Sequence, residues 1–137
     1  MDHKRIVTPE GQLRILDEII ATYRNMGVGV EWELKTVSLH SLIATQDAIE
    51  ADKFQIVRRK VQAGQLQIPV IVEEHFADGR TRYYLLDGHC RTRALIELGQ
   101  QSTQAYVLWP MKAGFESNFV KIAAQYGNVL LKDLKMI

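Results

Sequence analysis

The stretch Leu86-Asp87-Gly88-His89-Cys90-Arg91-Thr92-Arg93-Ala94 decides how this chain is organised, because it joins a predicted strand directly to a predicted helix. Upstream, Tyr83-Tyr84-Leu85-Leu86 is a strand-favouring run, and downstream Ala94 and Leu98 recur at helical spacing. A helix start offers unpaired backbone N–H groups and a partial positive charge, which together attract phosphate. Because Gly88 lets a ligand approach the backbone closely, we expect a polyphosphate site at this junction.

A β-hairpin is predicted immediately before the junction. The β-branched run Pro69-Val70-Ile71-Val72-Glu73 and the run at 83–86 are its two strands, and Asp78-Gly79 between them is a favoured tight-turn pair. A further strand is predicted at Ala105-Tyr106-Val107-Leu108-Trp109, and a less regular one at 32–39. Together these strands predict one mixed sheet.

Helices are predicted around the strands. Thr8-Pro9-Glu10 is typical of a helix start and predicts a helix over residues 9–26. A short helix is predicted to end near Gly64, and a last amphipathic helix is predicted over residues 115–126, whereas residues 42–47 are expected to form a loop. The order helix, strand, helix, hairpin, helix, strand, helix predicts a small α+β domain in which helices pack the sheet.

The size and composition of the chain predict one globular domain over residues 1–137. The 137 residues are 47% hydrophobic and 24% charged, which suffices for a packed core, and the net charge of +1 gives no general attraction to nucleic acid. The opening MDHKRIVTPE lacks a signal peptide and no apolar run approaches the roughly 18 residues of a membrane span, so a cytoplasmic protein with no membrane partner is expected. The single cysteine, Cys90, excludes an intramolecular disulfide.

Residues 37–109 resemble the ParB/sulfiredoxin-like superfamily. ParB N-terminal domains carry a Gly-Glu-Arg-Arg-x-Arg-Ala box that holds the triphosphate of CTP, and this chain matches it at Gly88, Arg91, Arg93 and Ala94. His89 and Cys90 stand where the box has its glutamate and first arginine. The resemblance implies a ParB/sulfiredoxin-like fold and nucleotide binding around Gly88 and Arg91. The departure at the Glu-Arg pair weakens the case for CTP hydrolysis.

Sulfiredoxins have Gly-Cys-His-Arg at the same place, with a catalytic cysteine, whereas the order here is His89 and then Cys90. One residue along a helix turns a side chain by about 100°, so sulfiredoxin chemistry is less favoured. The Lys-x-Gln element of sulfiredoxins is matched by Lys53-Phe54-Gln55, which makes Lys53 a candidate contact for phosphate or adenine. Two alternatives remain for Cys90: a reactive thiol whose pKa is lowered by the helix start, or a buried inert one.

The Asp-Gly-His-His-Arg box of the free-serine kinases is a closer match. With Cys90 as the exception, its residues recur here as Asp87, Gly88, His89 and Arg91. The resemblance implies catalytic roles for Asp87 and His89, ATP or ADP as the nucleotide, and Mg²⁺ held by Asp87 or by phosphate oxygens. An acidic residue from an upstream loop acts as the base in those kinases. In the corresponding segment of this chain Asp47 and Glu50 both qualify, and Asp47 is preferred.

Two functions of different classes are therefore expected. The first is a nucleotide-binding domain that transfers a phosphoryl group from ATP, ADP or CTP, with Mg²⁺, to a small hydroxyl substrate. The second is a non-enzymatic nucleotide-sensing module that works with DNA or a DNA-binding protein. Nuclease activity is less favoured. For the apolar faces of the flanking helices two alternatives are open: they cover the sheet, or they form a homodimer. The candidate residues are Lys53, Gly88, His89, Cys90, Arg91 and Arg93 for nucleotide binding, and Asp47, Asp87 and His89 for catalysis.

Overall fold

A computed structural model describes residues 6–137; residues 1–5, on which the expectation of no signal peptide partly rests, lie outside the described residues. The helices are α1 (Pro9–Asn25), α2 (Ala51–Gln62), α3 (His89–Glu97) and α4 (Asn118–Gln125). The strands are β1 (Val30–Ser38), β2 (Leu42–Ala44), β3 (Val70–Ala77), β4 (Arg80–Asp87) and β5 (Ser102–Pro110). Within the described residues, no helix has the length and apolar character needed to cross a membrane.

The strands form a five-stranded sheet in the order β1-β5-β3-β4-β2. The pairs β1–β5 and β3–β4 are antiparallel, whereas β3–β5 and β2–β4 are parallel. This mixed sheet, with its β3–β4 hairpin and surrounding helices, confirms the predicted α+β class. The central strand is β3, and β4 is its neighbour. The junction between β4 and α3 therefore lies at one end of the strands, close to the middle of the sheet.

Several short-range sequence signals predict the local structure well. Thr8 caps α1 by accepting a hydrogen bond from the Gly11 backbone N–H at 3.0 Å. Asp78 and Gly79 both have positive φ angles, 56° and 76°, as the tight turn between β3 and β4 requires. Helix α4 begins later than predicted because the Ser117 side chain caps it.

The expectation of a loop over residues 42–47 is wrong at its beginning, where Leu42–Ala44 forms β2. This strand pairs in parallel with β4 from Tyr83 to Leu85. All of its residues are buried, so it has no alternation of apolar and polar side chains, and it is too short for any periodicity to be visible. The strand exists because a tertiary partner satisfies its backbone.

Each face of the sheet carries its own apolar core. Phe54 of α2 and Ala94 of α3 belong to one core, and Leu16 of α1 and Val120 of α4 belong to the other. Helix α1 therefore lies in the opposite layer from α2 and α3. Contacts between α1 and α3 have to pass around the end of the sheet, where the β4–α3 junction lies.

The C-terminal segment packs beside the loop that leads into α2. Ile49 forms a bridge with Met136, and the Ala51 backbone N–H donates to the Ile137 carbonyl oxygen at 2.8 Å. Leu131 is fully buried in the core that also contains α3. No sequence pattern predicted this packing, which places Ile137 at the wall of a cleft.

Candidate functional site

A cleft of about 850 Å³ opens at the β4–α3 junction, where helices of both layers meet. Helix α2 contributes Lys53 to its lining, and the junction contributes Asp87, Gly88, His89, Cys90 and Arg91. Helix α1 lines it with Gly11, Arg14 and Ile15, and Thr8 at the helix cap adds to the same wall. The structure thus brings most of the sequence-predicted site residues to one cleft.

Gly88 shapes the start of α3. Its φ angle of 106° is one that side-chain-bearing residues rarely adopt. A Cβ atom at this position would lie 2.6 Å from Val70 Cγ1 and 3.0 Å from Arg91 Nη2. No side chain caps α3, and the Asp87 carboxylate lies 3.7 Å from Arg91 Nη2. The first backbone N–H groups of α3 therefore have no capping side chain as an acceptor, which is what an anion site requires.

Arg91 is buried, with 5% of its surface exposed, and its guanidinium is bound by protein groups. Nη1 donates to the Ile68 carbonyl oxygen at 2.7 Å, and Nη2 donates to Gln12 Oε1 at 3.1 Å. Nη2 also lies 3.7 Å from Asp87 Oδ2. Arg91 was predicted to bind nucleotide, and in the structure its guanidinium joins α3 to α1. Its contact with phosphate stays a prediction.

His89 is also buried, and it holds the loop after β2. Its Nε2 accepts a hydrogen bond from the Thr45 backbone N–H at 3.1 Å. Burial, and to a lesser extent the charge of Lys53, lowers the pKa of His89 to about 4. His89 is therefore neutral at pH 7, and because Nε2 accepts, the proton lies on Nδ1. Among the described residues, Nδ1 has no hydrogen-bond partner.

We expect His89 to make the protein sensitive to mild acid. Because its folded-state pKa lies below the ordinary 6.5, the stability it contributes is complete above pH 6.5 and is lost as the pH falls towards 4. The loss should reach about 3 kcal/mol, at roughly 1.4 kcal/mol per pH unit. Urea unfolding at pH 7, 5.5 and 4 should give a steeper loss for the parent than for His89→Gln. Equal slopes for the two proteins would contradict this assignment.

Cys90 is 9% exposed, and burial raises the pKa of its thiol. Lys53 and Arg91 act in the opposite direction but are outweighed by desolvation. The expectation that the helix start lowers this pKa is therefore wrong, and the alternative of a buried thiol is favoured. Since thiolate is the reactive form, Cys90 is poorly suited to nucleophilic attack.

Two sequence-predicted site residues do not line the cleft. Arg93 points towards the C-terminal segment, where its Nη1 donates to the Leu134 carbonyl oxygen at 2.7 Å and to that of Leu131 at 3.3 Å. Asp47 is exposed and lies outside the cleft lining, whereas Glu50, the alternative candidate base, lies within it. The difference arises from the path of the loop after β2, which spacing alone did not reveal.

A second polar cluster, missed by sequence reasoning, lies on the other face of the sheet. Glu73 of β3 is fully buried, and its Oε1 accepts hydrogen bonds from the Tyr23 hydroxyl of α1 and the Ser117 hydroxyl at the cap of α4. Burial raises the pKa of Glu73, with partial compensation from these two bonds. The sequence did contain a signal for this cluster, namely a glutamate directly after the β-branched run of a central strand, where a charged side chain is rare.

The cleft fits Mg²⁺ only in combination with a phosphate ligand. Asp87 is the carboxylate at the junction, and its side chain is 37% exposed. Mg²⁺ is commonly bound by one or two carboxylates together with substrate phosphates and water, which Asp87 beside a bound polyphosphate would provide. Across residues 6–137, no group of three or more His, Cys, Asp or Glu is placed to hold a metal ion by itself.

Comparison with known sequences adds little about function. No protein-family model matches the chain. It is 28% identical over 125 residues to the uncharacterized protein MJ0188 of Methanocaldococcus jannaschii, a match that covers 89% of this chain and 44% of that protein. The chain therefore spans less than half the length of this relative.

Comparison with solved structures supports the fold. Protein Atu1540 from Agrobacterium tumefaciens is similar over 71% of this chain and 49% of its own, with a TM-score of 0.52 and 18% identity. A sulfiredoxin from Arabidopsis thaliana matches 55% of this chain and 83% of its own (TM-score 0.42, 20% identity). A Pnob8-like ParB-N domain matches 72% of this chain and 38% of its own (TM-score 0.48, 13% identity). At 18% identity, the likeness to protein Atu1540 shows a similar fold and nothing about function.

Proposed function

We propose that the cleft at the β4–α3 junction binds the polyphosphate of a nucleotide together with Mg²⁺. The observation that carries this proposal is the start of α3, which Gly88 shapes, which no side chain caps, and which opens onto a cleft also lined by Lys53. The first backbone N–H groups of a helix and a nearby ammonium group are complementary to phosphate oxygens. Asp87, which lines the same cleft, would bind Mg²⁺ together with those phosphates.

The rest of the cleft is suited to the less polar part of such a ligand. Val57 and Leu66 line it near Lys53, and Ile6 and Ile15 line it from the N-terminal side. Nucleotide sites commonly combine apolar walls with a few convergent polar groups. We therefore expect the base and sugar to lie against these aliphatic side chains while the phosphates face the start of α3.

The proposed activity is phosphoryl transfer to a small hydroxyl substrate, and Glu50 is the better candidate for the base. Glu50 is exposed at the cleft, where it could accept the proton of a hydroxyl group, whereas Asp47 lies outside the lining. The role of His89 would be to position the loop through its bond to Thr45, because that bond occupies Nε2 of a neutral imidazole that is only 3% exposed.

A non-enzymatic nucleotide-sensing module is the second candidate function. It is favoured by the fact that His89, Cys90 and Arg91, which a catalytic box would present to its ligand, are buried in this structure. Such a module would bind nucleotide at the same cleft without turnover, and it would pass the signal to DNA or to a DNA-binding partner.

Nucleotide binding is tested by isothermal titration of the protein with ATP, ADP and CTP in the presence of Mg²⁺. We expect Lys53→Gln to weaken binding about tenfold, because it removes one charge-assisted contact. Arg59→Gln is the matched control, since Arg59 is exposed on the same helix and does not line the cleft. Equal losses from both variants, or no binding to the parent, would refute the proposed site.

Phosphoryl transfer is tested with ATP, Mg²⁺ and L-serine, the acceptor that the resemblance to free-serine kinases implies, followed by other small hydroxyl compounds. We expect Glu50→Gln to lower turnover by about 100-fold or more while nucleotide affinity changes little, as for the loss of a general base. Asp47→Asn is the control that should retain activity. Binding of nucleotide without turnover on any of these acceptors would instead favour the sensing module.

A further inference from the structure

Helix α1 lies outside the segment that carries the family resemblance, yet it forms one wall of the cleft. Thr8, Gly11 and Arg14 line the cleft at spacings of three residues, so they share one face of the α1 start. Arg14 is exposed there, and within residues 6–137 it forms no ion pair. Among the described residues, a cation without a carboxylate partner thus lies on the α1 wall of the cleft.

The position of α1 is fixed by bonds that reach the α3 start. Gln12 is fully buried, and its Oε1 accepts from Arg91 Nη2 at 3.1 Å. At the far end of the helix, the Tyr23 hydroxyl donates to Glu73. Because both ends of α1 are tied to the sheet or to α3, Arg14 is held at the cleft by a rigid helix rather than by a loop.

The charges around the cleft favour a ligand with more than one anionic group. Arg14 comes from α1 in one layer, and Lys53 comes from α2 in the other. The acidic side chains that line the cleft are Asp87 and Glu50. Of these, Asp87 is already in a loose ion pair with the buried Arg91. An extended polyanion can contact Arg14, Lys53 and the α3 start together, whereas one compact monoanion cannot.

Two buried hydrogen-bond donors beside the α3 start also lack acceptors. Gln12 Nε2 and His89 Nδ1 have no partner among the described residues, and both side chains are at least nine-tenths buried. His89 lines the cleft, and its Nε2 is already occupied by Thr45, so the unpaired nitrogen is the donor. Gln12 does not line the cleft, so it is the His89 donor that an anionic ligand bound there could satisfy.

We propose that Arg14 is a binding residue for the ligand and that, with Lys53, it gives the cleft its preference for di- and triphosphates over monophosphates. This inference rests on the proposed nucleotide site and deepens it. It assigns α1 a direct part in recognition, in which the guanidinium contacts a phosphate that the α3 start does not reach. A ligand bound in this way bridges the two helical layers.

The test is a comparison of affinities for AMP, ADP and ATP, with Mg²⁺, between the parent and Arg14→Gln. The parent should bind ATP at least about tenfold more tightly than AMP. Arg14→Gln should weaken ATP binding about tenfold and AMP binding by less than about threefold, so that the ATP-to-AMP preference collapses. Arg24→Gln, on the same helix but outside the cleft lining, should leave all three affinities unchanged.

Each outcome separates the two proposals. An unchanged ATP-to-AMP preference in Arg14→Gln, with ATP binding lost in Lys53→Gln, would overturn the role of Arg14 and keep the nucleotide site. Equal losses for AMP and ATP would also overturn it, because Arg14 would then contact a part common to both ligands. No binding of any nucleotide to the parent would overturn both proposals. Urea unfolding should show that Arg14→Gln is folded, since substitutions of exposed residues usually change stability little.

Discussion

Gly88→Ala should destabilise the protein by about 3 kcal/mol or more, in spite of adding a single methyl group. Two effects combine at this position. The φ angle of 106° is unfavourable for alanine, and the new Cβ would lie 2.6 Å from Val70 Cγ1, far inside van der Waals contact. Val70 is a core residue of the central strand, so it cannot move aside freely. Chemical unfolding in urea measures the expected loss.

Gly64→Ala is the matched control for this prediction. Gly64 also has a positive φ angle, 77°, but no described atom lies within 4 Å of the Cβ that alanine would add. Gly64→Ala should therefore cost only about 1 kcal/mol, which is the cost of placing alanine at a positive φ angle. In addition, Val70→Ala should relieve part of the clash with the Cβ atom added at position 88. The double variant Val70→Ala/Gly88→Ala should therefore be more stable than the sum of the two single losses predicts. Similar losses for Gly88→Ala and Gly64→Ala would show that close packing at the junction contributes nothing.

Glu73→Ala should cost about 3–5 kcal/mol. The substitution removes the shared acceptor of Tyr23 and Ser117 and leaves a cavity beneath α1 and α4. A buried hydroxyl group that loses its partner pays the full cost of desolvation. Glu74→Ala is the control, because the neighbouring Glu74 lies partly exposed, 3.6 Å from Lys35, and should contribute less than about 1 kcal/mol.

Glu73→Gln separates shape from charge at the same position. Its carbonyl oxygen can accept both hydroxyl protons, so the variant should remain within about 1 kcal/mol of the parent near pH 4.5. Because burial raises the folded-state pKa of Glu73, the parent has the stability contribution of this group at low pH and loses it as the pH rises from 4.5 through the folded-state pKa. Glu73→Gln should therefore gain on the parent above pH 4.5. A gap that does not change with pH would contradict the raised pKa.

The local elements were predictable because their causes are local. The Thr8 cap and the Asp78-Gly79 turn depend on atoms within a few residues of one another, and both form as the sequence indicates. The break between β4 and α3 at Gly88 is of the same kind, since it requires a positive φ angle at one residue. The α+β class followed from these elements and their order.

The candidate site was predictable only in part. Lys53 and the stretch from Asp87 to Arg91 do line one cleft, which a motif at a helix start made a reasonable expectation. Arg93, on the same short helix, turns instead to the Leu134 carbonyl oxygen, and Asp47 lies outside the lining. Which side of a helix or loop faces a cleft depends on what packs against the other side, and spacing along the chain does not contain that information.

By itself, the sequence determined the hairpin, the Thr8 cap of α1 and the glycine that starts α3, because each follows from the preferences of neighbouring residues. The tertiary structure decided the rest. Strand β2 forms because β4 offers it a backbone partner, Arg91 is buried because Gln12 and the Ile68 carbonyl group receive it, and the Cys90 thiol is kept neutral by burial. Solvation and long-range hydrogen bonding set these properties, and both depend on which distant segments fold against a residue.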